Sequence, residues 1–345
     1  MNEYNHSTCG LILAAGKGTR MKSTTPKVLH KVMGIPILER VYQTLSRSGV
    51  DQICLVLSED TASLENFLCK HPDTTVCIQK NRLGTGDAAA AAATAFLGIE
   101  PPKWSAGELV KGQPISSEYI LVFFGDTPAI SADTIKVFLE HSFLKSADIA
   151  ILGMEHPNPH GYGRLVTDDN GFLSRIVEEK DADANTKKIT LCNSGIMLAK
   201  TELLFSLLQD LTPENAQKEY YLTDCFELAA ERNIPTCVFV SEDYQSFSGV
   251  NDRSQLAEIE TYLVRKKIEN TQRNGVTFHL PETTWIDESV IIGTDSEIGS
   301  HCILQGDTKI GKNCIIGSRC TIINCSIPDN TILENNRSYN QNDFN

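Results

Sequence analysis

The sequence predicts an α/β protein with a mainly parallel sheet covered by helices on both faces, followed by a linker helix and a short parallel β-helix. Three observations carry this. From residue 9 to about 240, short β-branched runs alternate with helical patterns, as in strands joined by helical crossovers. The first run, CGLILAA, passes straight into a glycine-rich turn at 16–20. From about residue 289 the period becomes six, with Ile292-Gly293, Ile298-Gly299, Ile310-Gly311 and Ile316-Gly317 at or near multiples of six, the repeat of a parallel β-helix.

Bulk properties narrow the function classes. A chain of 345 residues with 41% hydrophobic and 22% charged residues is long enough for two or three cored domains. Its net charge of −13 argues against nucleic-acid and anionic-membrane partners, so an anionic ligand needs a local cationic cluster. Eleven cysteines without CxxC or zinc spacing read as reduced thiols of a cytoplasmic protein. The first residues lack a signal-peptide pattern, and no apolar stretch approaches a membrane span.

Taken in order, ICLVL (53–57), TVCIQ (75–79), YILVFFGD (119–126), DIAILGM (148–154) and TCVFV (236–240) read as buried strands. Ligands on parallel sheets bind beyond the strands' carboxyl ends, where the glycine turn and Asp126 both fall. In that turn Gly16 and Gly18 let backbone amides face outward, and Lys17, Arg20 and Lys27 can converge on the anion they cradle. Met21 stands where the dinucleotide fingerprint needs its third glycine, and the P-loop spacing is missing too. A plain surface turn beside solvated cations is the competing reading.

Gln79 closes its strand, and RLGTG (82–86) leads into an alanine-rich helix starting near Asp87. Gly84, Thr85 and Gly86 would admit a flat ring or a phosphate, or simply open a capped helix. Residues 98–118 read as an irregular Pro/Gly-rich surface excursion. Gly125 and Pro128 turn the chain at Asp126, presenting a carboxylate to a metal or capping the next turn. GYGR (161–164) and the Asp-Asp-Asn-Gly turn after it predict a hairpin over the site mouth. Asn251 offers a hard oxygen for Mg²⁺, or an N-cap for the next helix. That helix places Leu256, Ile259, Leu263, Val264 and Ile268 at helical spacing and ends at Asn274-Gly275. The predicted domains are 1–250, a linker helix at 251–275, a β-helix at 276–334 and a polar, disordered tail at 335–345.

LAAGKGTRM (13–21) and PKVLHKVMGIPIL (26–38) closely resemble the N-terminal signature of sugar-1-phosphate nucleotidyltransferases. RLGTGDA (82–88), FGDTP (124–128), GYGR, VEEKDA (177–182), CNSGI (192–196), EYYLTD (219–224) and GVNDR (249–253) follow in the same order. The chain is most similar to the uridyltransferase half of the bifunctional N-acetylglucosamine-1-phosphate uridyltransferase/glucosamine-1-phosphate acetyltransferase family. The resemblance implies a Rossmann-like nucleotidyltransferase domain, a left-handed β-helix that trimerises, and transfer of UMP from UTP to N-acetylglucosamine 1-phosphate. It implies catalytic roles for Arg20 and Lys27, with Mg²⁺ on Asp126 and Asn251. It implies substrate binding at Leu13, Ala14, Ala15, Gly16, Gly18 and Gly125, uracil reading by Gln79, Gly84 and Thr85, and sugar binding by Gly163, Glu178, Asn193 and Thr223. Phe124 departs from the tyrosine of this motif.

In the resembled family the solenoid continues further and carries acetyl transfer there, so acetyltransferase activity is expected to be absent here. Without the resemblance, Glu178 is a solvated strand-end charge and Asn193 a turn residue. Competing functions are the same chemistry on another sugar 1-phosphate, a non-catalytic nucleotide-sugar scaffold, and an acyltransferase suggested by the hexapeptides alone. Against the last, His301 is a lone histidine that reads as a surface residue.

Overall fold

The computed structural model describes residues 6–59 and 64–344. The chain forms two compact units, one of residues 1–29 and 37–251 and one of residues 30–36 and 252–345. Among the described residues no helix is long and apolar enough to cross a membrane.

The first unit is built on strand Thr8–Leu13, which pairs in parallel with Gln52–Leu57 on one side and Tyr119–Phe124 on the other. Thr75–Gln79 extends the parallel set. Beyond Tyr119–Phe124 the long antiparallel strand Leu191–Lys200 is inserted, followed by Ile149–Glu155 and, parallel to it, Thr236–Ser241. The α/β class and the strand positions read from sequence are those observed. The Arg164–Thr167 and Leu173–Val177 strands form the expected hairpin, attached where Cys192 faces Arg164.

Alternation along the central strands divides the core in two. Cys9, Leu11, Leu13, Ile120 and Val122 join one apolar cluster, and Ile12, Tyr119, Leu121 and Phe123 the other. Helices Ile37–Ser48 and Ala132–Leu144 cover the second face with Leu38, Val41, Leu45, Ile135 and Phe138. Helices Thr85–Ala91, Thr201–Gln209 and Asp224–Glu231 cover the first. The alanine run is a packing device: residues 88–93 are all buried, and side chains of one carbon let that helix lie close to the sheet.

The 98–118 stretch differs from its sequence reading. Gly107–Lys111 is an antiparallel edge strand on Thr75–Gln79, and its five residues alternate in burial. The flanking Pro and Gly residues hid this short alternation. Trp104, just before it, stacks on Tyr220 with ring centroids 3.9 Å apart and planes 6° from parallel.

In the second unit, helix Arg253–Arg273 packs with the Lys31–Val32 and Ile35–Pro36 hairpin and with the β-helix. Met33 N–H donates to Glu260 Oε1 at 2.9 Å. The coils that follow stack parallel strands in three sheets. Ile298, Ile316 and Leu333 form one inward column, and Ile286, Leu304 and Ile322 another. Cys302, Cys314, Cys320 and Cys325 fill the interior among them, so four of the eleven cysteines are small core residues of the solenoid. Ser338–Asn340, read from sequence as part of a polar tail, is a strand pairing with Thr321–Ile323. Tyr339 and Phe344 pack against the coil core.

Candidate active site

The carboxyl ends of the parallel strands assemble the site. Three backbone bonds fix it: Ala14 N–H donates to Val56 O at 2.8 Å, Gly125 N–H to Leu13 O at 2.9 Å, and Val250 N–H to Asp126 O at 2.8 Å. The last sets the 250–251 segment beside the Asp126 turn. That turn is closed by Thr127 Oγ1 donating to Phe124 O at 2.9 Å, so Asp126 itself is left to face the cleft.

Side chains remote in sequence then converge. Lys27 Nζ donates to Asp126 Oδ2 at 2.5 Å and to Asn251 Oδ1 at 3.2 Å. Arg20 Nη2 donates to the same Asn251 oxygen at 2.9 Å. Gly18 makes this approach possible. Its φ is +61°, and a Cβ there would lie 2.6 Å from Lys27 Cβ, closer than any side chain tolerates. Asn251 does not cap the following helix; Asp252 does, accepting from Gln255 N–H at 2.9 Å.

Two cavities meet at this cluster. One, of about 520 Å³, is lined by Leu13, Ala14, Ala15, Gly16, Lys17, Lys27, Gln79, Gly84, Thr85, Gly125 and Asp126, together with Arg82 and Glu219. The other, of about 430 Å³, is lined by Arg20, Asp126, Gly163, Glu178, Asn193, Thr223 and Asn251, with Tyr162, Gln217 and Tyr221. Apart from Gly18, which packs on Lys27, and Gly86, which packs on Leu211 and Tyr220, every candidate site residue singled out from sequence lines one of the two. Thr85, Phe124, Asp126 and Glu219 line both. Arg82, Glu219, Tyr162, Gln217 and Tyr221 were not singled out, although the quoted motifs contain or adjoin them.

The larger cavity has a rigid wall. Gln79 is 4% exposed, and its Nε2 donates to Gly84 O at 3.1 Å and to Asp87 Oδ2 at 2.8 Å. The helix begins at Thr85 rather than near Asp87 and has no side-chain N-cap. Thr85 Oγ1 accepts from Leu222 N–H at 3.0 Å, tying this loop to the EYYLTD segment.

The smaller cavity is held by the hairpin and the long antiparallel strand. Asn193 N–H donates to Gly163 O at 2.8 Å. Asn193 Oδ1 accepts from Gly195 N–H at 2.8 Å, leaving the amide nitrogen to serve as a donor. Thr223 Oγ1 donates to Glu178 Oε1 at 3.1 Å. Burial raises the Glu178 pKa, with the Thr223 bond opposing and Asp181 reinforcing the rise. Beneath the hairpin, fully buried Arg164 pairs with Glu179 at 2.7 Å and donates to Tyr162 O, fixing the GYGR turn. Phe124 packs its ring against Gly195, where a Cβ would meet it at 2.4 Å; this aromatic is a packing group.

Asp126 and Asn251 fit a small hard cation by the chemistry of their donors. Both oxygens lie within bonding reach of one cationic group, the Lys27 ammonium. A carboxylate plus an amide oxygen suits Mg²⁺, which takes few protein ligands and completes its shell with phosphate and water.

Comparison with known proteins agrees with this geometry. Residues 10–179 match the MobA-like NTP transferase domain, and residues 289–324 match the bacterial transferase hexapeptide (six repeats). The chain is 37% identical over 327 residues to the bifunctional protein GlmU of Carboxydothermus hydrogenoformans, covering 94% of this chain and 67% of that one. The chain belongs to the GlmU family. The GlmU of Geotalea daltonii is likewise 37% identical over 320 residues, covering 92% of this chain and 66% of that one, and the GlmU of Enterococcus faecalis is 33% identical over 324 residues. The chain thus spans about two thirds of the length of these relatives. The fold is shared with a Bacillus anthracis crystal structure described as a glucose-1-phosphate thymidylyltransferase, at TM-score 0.57 and 18% identity, covering 74% of this chain and 95% of that one.

Proposed function

We propose that this GlmU-family chain transfers UMP from UTP to N-acetylglucosamine 1-phosphate, giving UDP-N-acetylglucosamine and pyrophosphate. The observation that carries the reading is the meeting of Lys27, Asp126 and Asn251 where the two cavities join. The nucleotide occupies the cavity behind the glycine turn and the sugar phosphate the one behind the hairpin. The nucleophile, a sugar-phosphate oxygen, is already an anion, so no general base is needed. It forms the new bond to the α-phosphorus of UTP in line, and the bond from that phosphorus to the bridging oxygen of pyrophosphate breaks.

Positioning and charge neutralisation then carry the rate. Lys27 stabilises the α-phosphoryl oxygens, while Arg20 and the amides of the 16–20 turn take the leaving pyrophosphate. Asp126 and Asn251 would hold Mg²⁺, which when bound would supply positive charge to offset that of the phosphates. Gly163, Glu178, Asn193 and Thr223 give the acetamido sugar the donors and acceptors it needs. The same chemistry on another sugar 1-phosphate is the second reading, because only these few groups discriminate. Exposed Ile315 and Ile332, neighbours in one β-helix column, support a trimer through that surface.

A pyrophosphate-release assay across a panel of nucleoside triphosphates and sugar 1-phosphates, with and without Mg²⁺, tests the reading. UTP with N-acetylglucosamine 1-phosphate should give the highest kcat/KM, and only with the metal. A different preferred sugar would move the assignment to the second reading.

A further inference from the structure

We propose that Asp87 is a positioning residue that sets nucleobase selectivity by locking the carboxamide of Gln79 in one orientation. The proposal rests on the nucleotidyl-transfer reading. Asp87 is fully buried and lies in the first turn of helix Thr85–Ala91. Its carboxylate accepts three hydrogen bonds: from Gln79 Nε2 at 2.8 Å and Leu83 N–H at 3.0 Å on Oδ2, and from Ser105 Oγ at 2.9 Å on Oδ1. Ser105 is contributed by the 98–118 stretch, next to Trp104, and Lys80 N–H donates to Ala106 O at 3.1 Å. The excursion of unassigned purpose thereby braces the loop.

The orientation of the Gln79 amide follows from its partners. Nε2 faces two oxygens, Gly84 O and Asp87 Oδ2. Turning the amide over would set Oε1 against both, two acceptors facing a third. Both amide hydrogens are consumed inside the wall, and Gln79 Oε1 is the polar atom left over at the wall of the 520 Å³ cavity. An acceptor at that wall selects a ring that presents N–H. The imide N3–H of uracil meets it, whereas cytosine presents a lone pair at N3 and is repelled. A site built for a hydrogen-bond donor rejects an analogue that lacks it strongly, because a buried polar atom is left unpaired.

Asp87→Ala removes the charged and nearer of the two acceptors on Nε2, leaving the more distant Gly84 O alone to hold the amide against turning over. Asp87→Asn keeps an oxygen toward Leu83 and Gln79 while its nitrogen donates to Ser105 Oγ, so it should behave as wild type. The readout is the ratio of kcat/KM for UTP over CTP in the purified full chain. We expect Asp87→Ala to lower the ratio about tenfold or more, and Asp87→Asn to keep it within about threefold. A merely structural aspartate would lower both nucleotides in parallel, and an unchanged ratio in Asp87→Ala overturns the proposal. Should that variant not fold, wild-type enzyme with N3-methyluridine triphosphate decides: loss of turnover relative to 5-methyluridine triphosphate supports an acceptor at the wall, and equal turnover overturns it. If no nucleoside triphosphate yields pyrophosphate the proposed function fails, and calorimetric affinities for UTP and CTP then test the orientation of Gln79 separately. Equal affinities overturn it.

Discussion

Lys27 Nζ lies 2.5 Å from Asp126 Oδ2 while also donating to Asn251 Oδ1 at 3.2 Å. One cationic side chain thus sits on both oxygens proposed to hold another cation. The pair is only partly buried, with side chains 11% and 22% exposed, so it is a contact that substrates can rearrange.

Lys27→Ala should lower kcat by about 10²-fold or more, since a charge aimed at the developing phosphoryl charge is lost. It should not weaken metal binding, because a competing cation leaves Asp126. Calorimetric Mn²⁺ titration alongside steady-state kinetics checks both, and near-normal turnover would remove the catalytic role of Lys27.

Asp126→Ala and Asn251→Ala should each raise the Mg²⁺ concentration needed for half-maximal rate, Asp126→Ala more strongly because it removes a full charge. Both should keep the wild-type unfolding profile, since neither side chain supports the core. Unaltered Mg²⁺ dependence in either variant would exclude that residue as a ligand.

Stability should depend on pH through Asp224. It opens helix Asp224–Glu231, whose N-terminus favours an anion, yet burial, then Glu227, Glu178 and Asp181, push its pKa from 3.8 up to about 7. The native chain keeps this proton to about pH 7 while the unfolded chain releases it near 3.8. Between these values the native state binds more protons, so this group's contribution to stability falls as pH rises. Asp224→Asn should therefore gain melting temperature over wild type at pH 7.5 and little at pH 4.5. An equal gain at both would contradict the shift.

Arg164→Ala should cost about 1–3 kcal/mol, because it removes a buried side chain and its bond to Tyr162 O while leaving Glu179, 21% exposed, partly hydrated. Urea unfolding reads this directly. A cost below about 1 kcal/mol would mean that the Arg164–Glu179 pair does not anchor the hairpin.

Much of this arrangement was legible in the sequence because strand periodicity and local motifs fix it. Asp126 follows an apolar run that ends in Gly-Asp-Thr-Pro, and the Ile-Gly repeat gives the coils. The rest depends on long-range contacts. Nothing in PKVLHKVMGIPIL announces that its 30–36 stretch belongs to a different unit from Lys27. Asp87 looked like a helix-start carboxylate, and its meaning came from Gln79, Leu83 and Ser105. Asn251 read as a metal ligand with the N-cap as a competing role, and Asp252 takes the cap.

The most direct measurement is ³¹P NMR of the purified chain incubated with UTP, N-acetylglucosamine 1-phosphate and Mg²⁺. The account predicts paired growth of UDP-sugar diphosphate and pyrophosphate resonances, abolished in Asp126→Ala. Release of UMP or inorganic phosphate without a UDP-sugar signal, or an unchanged spectrum from folded wild-type protein, would contradict it.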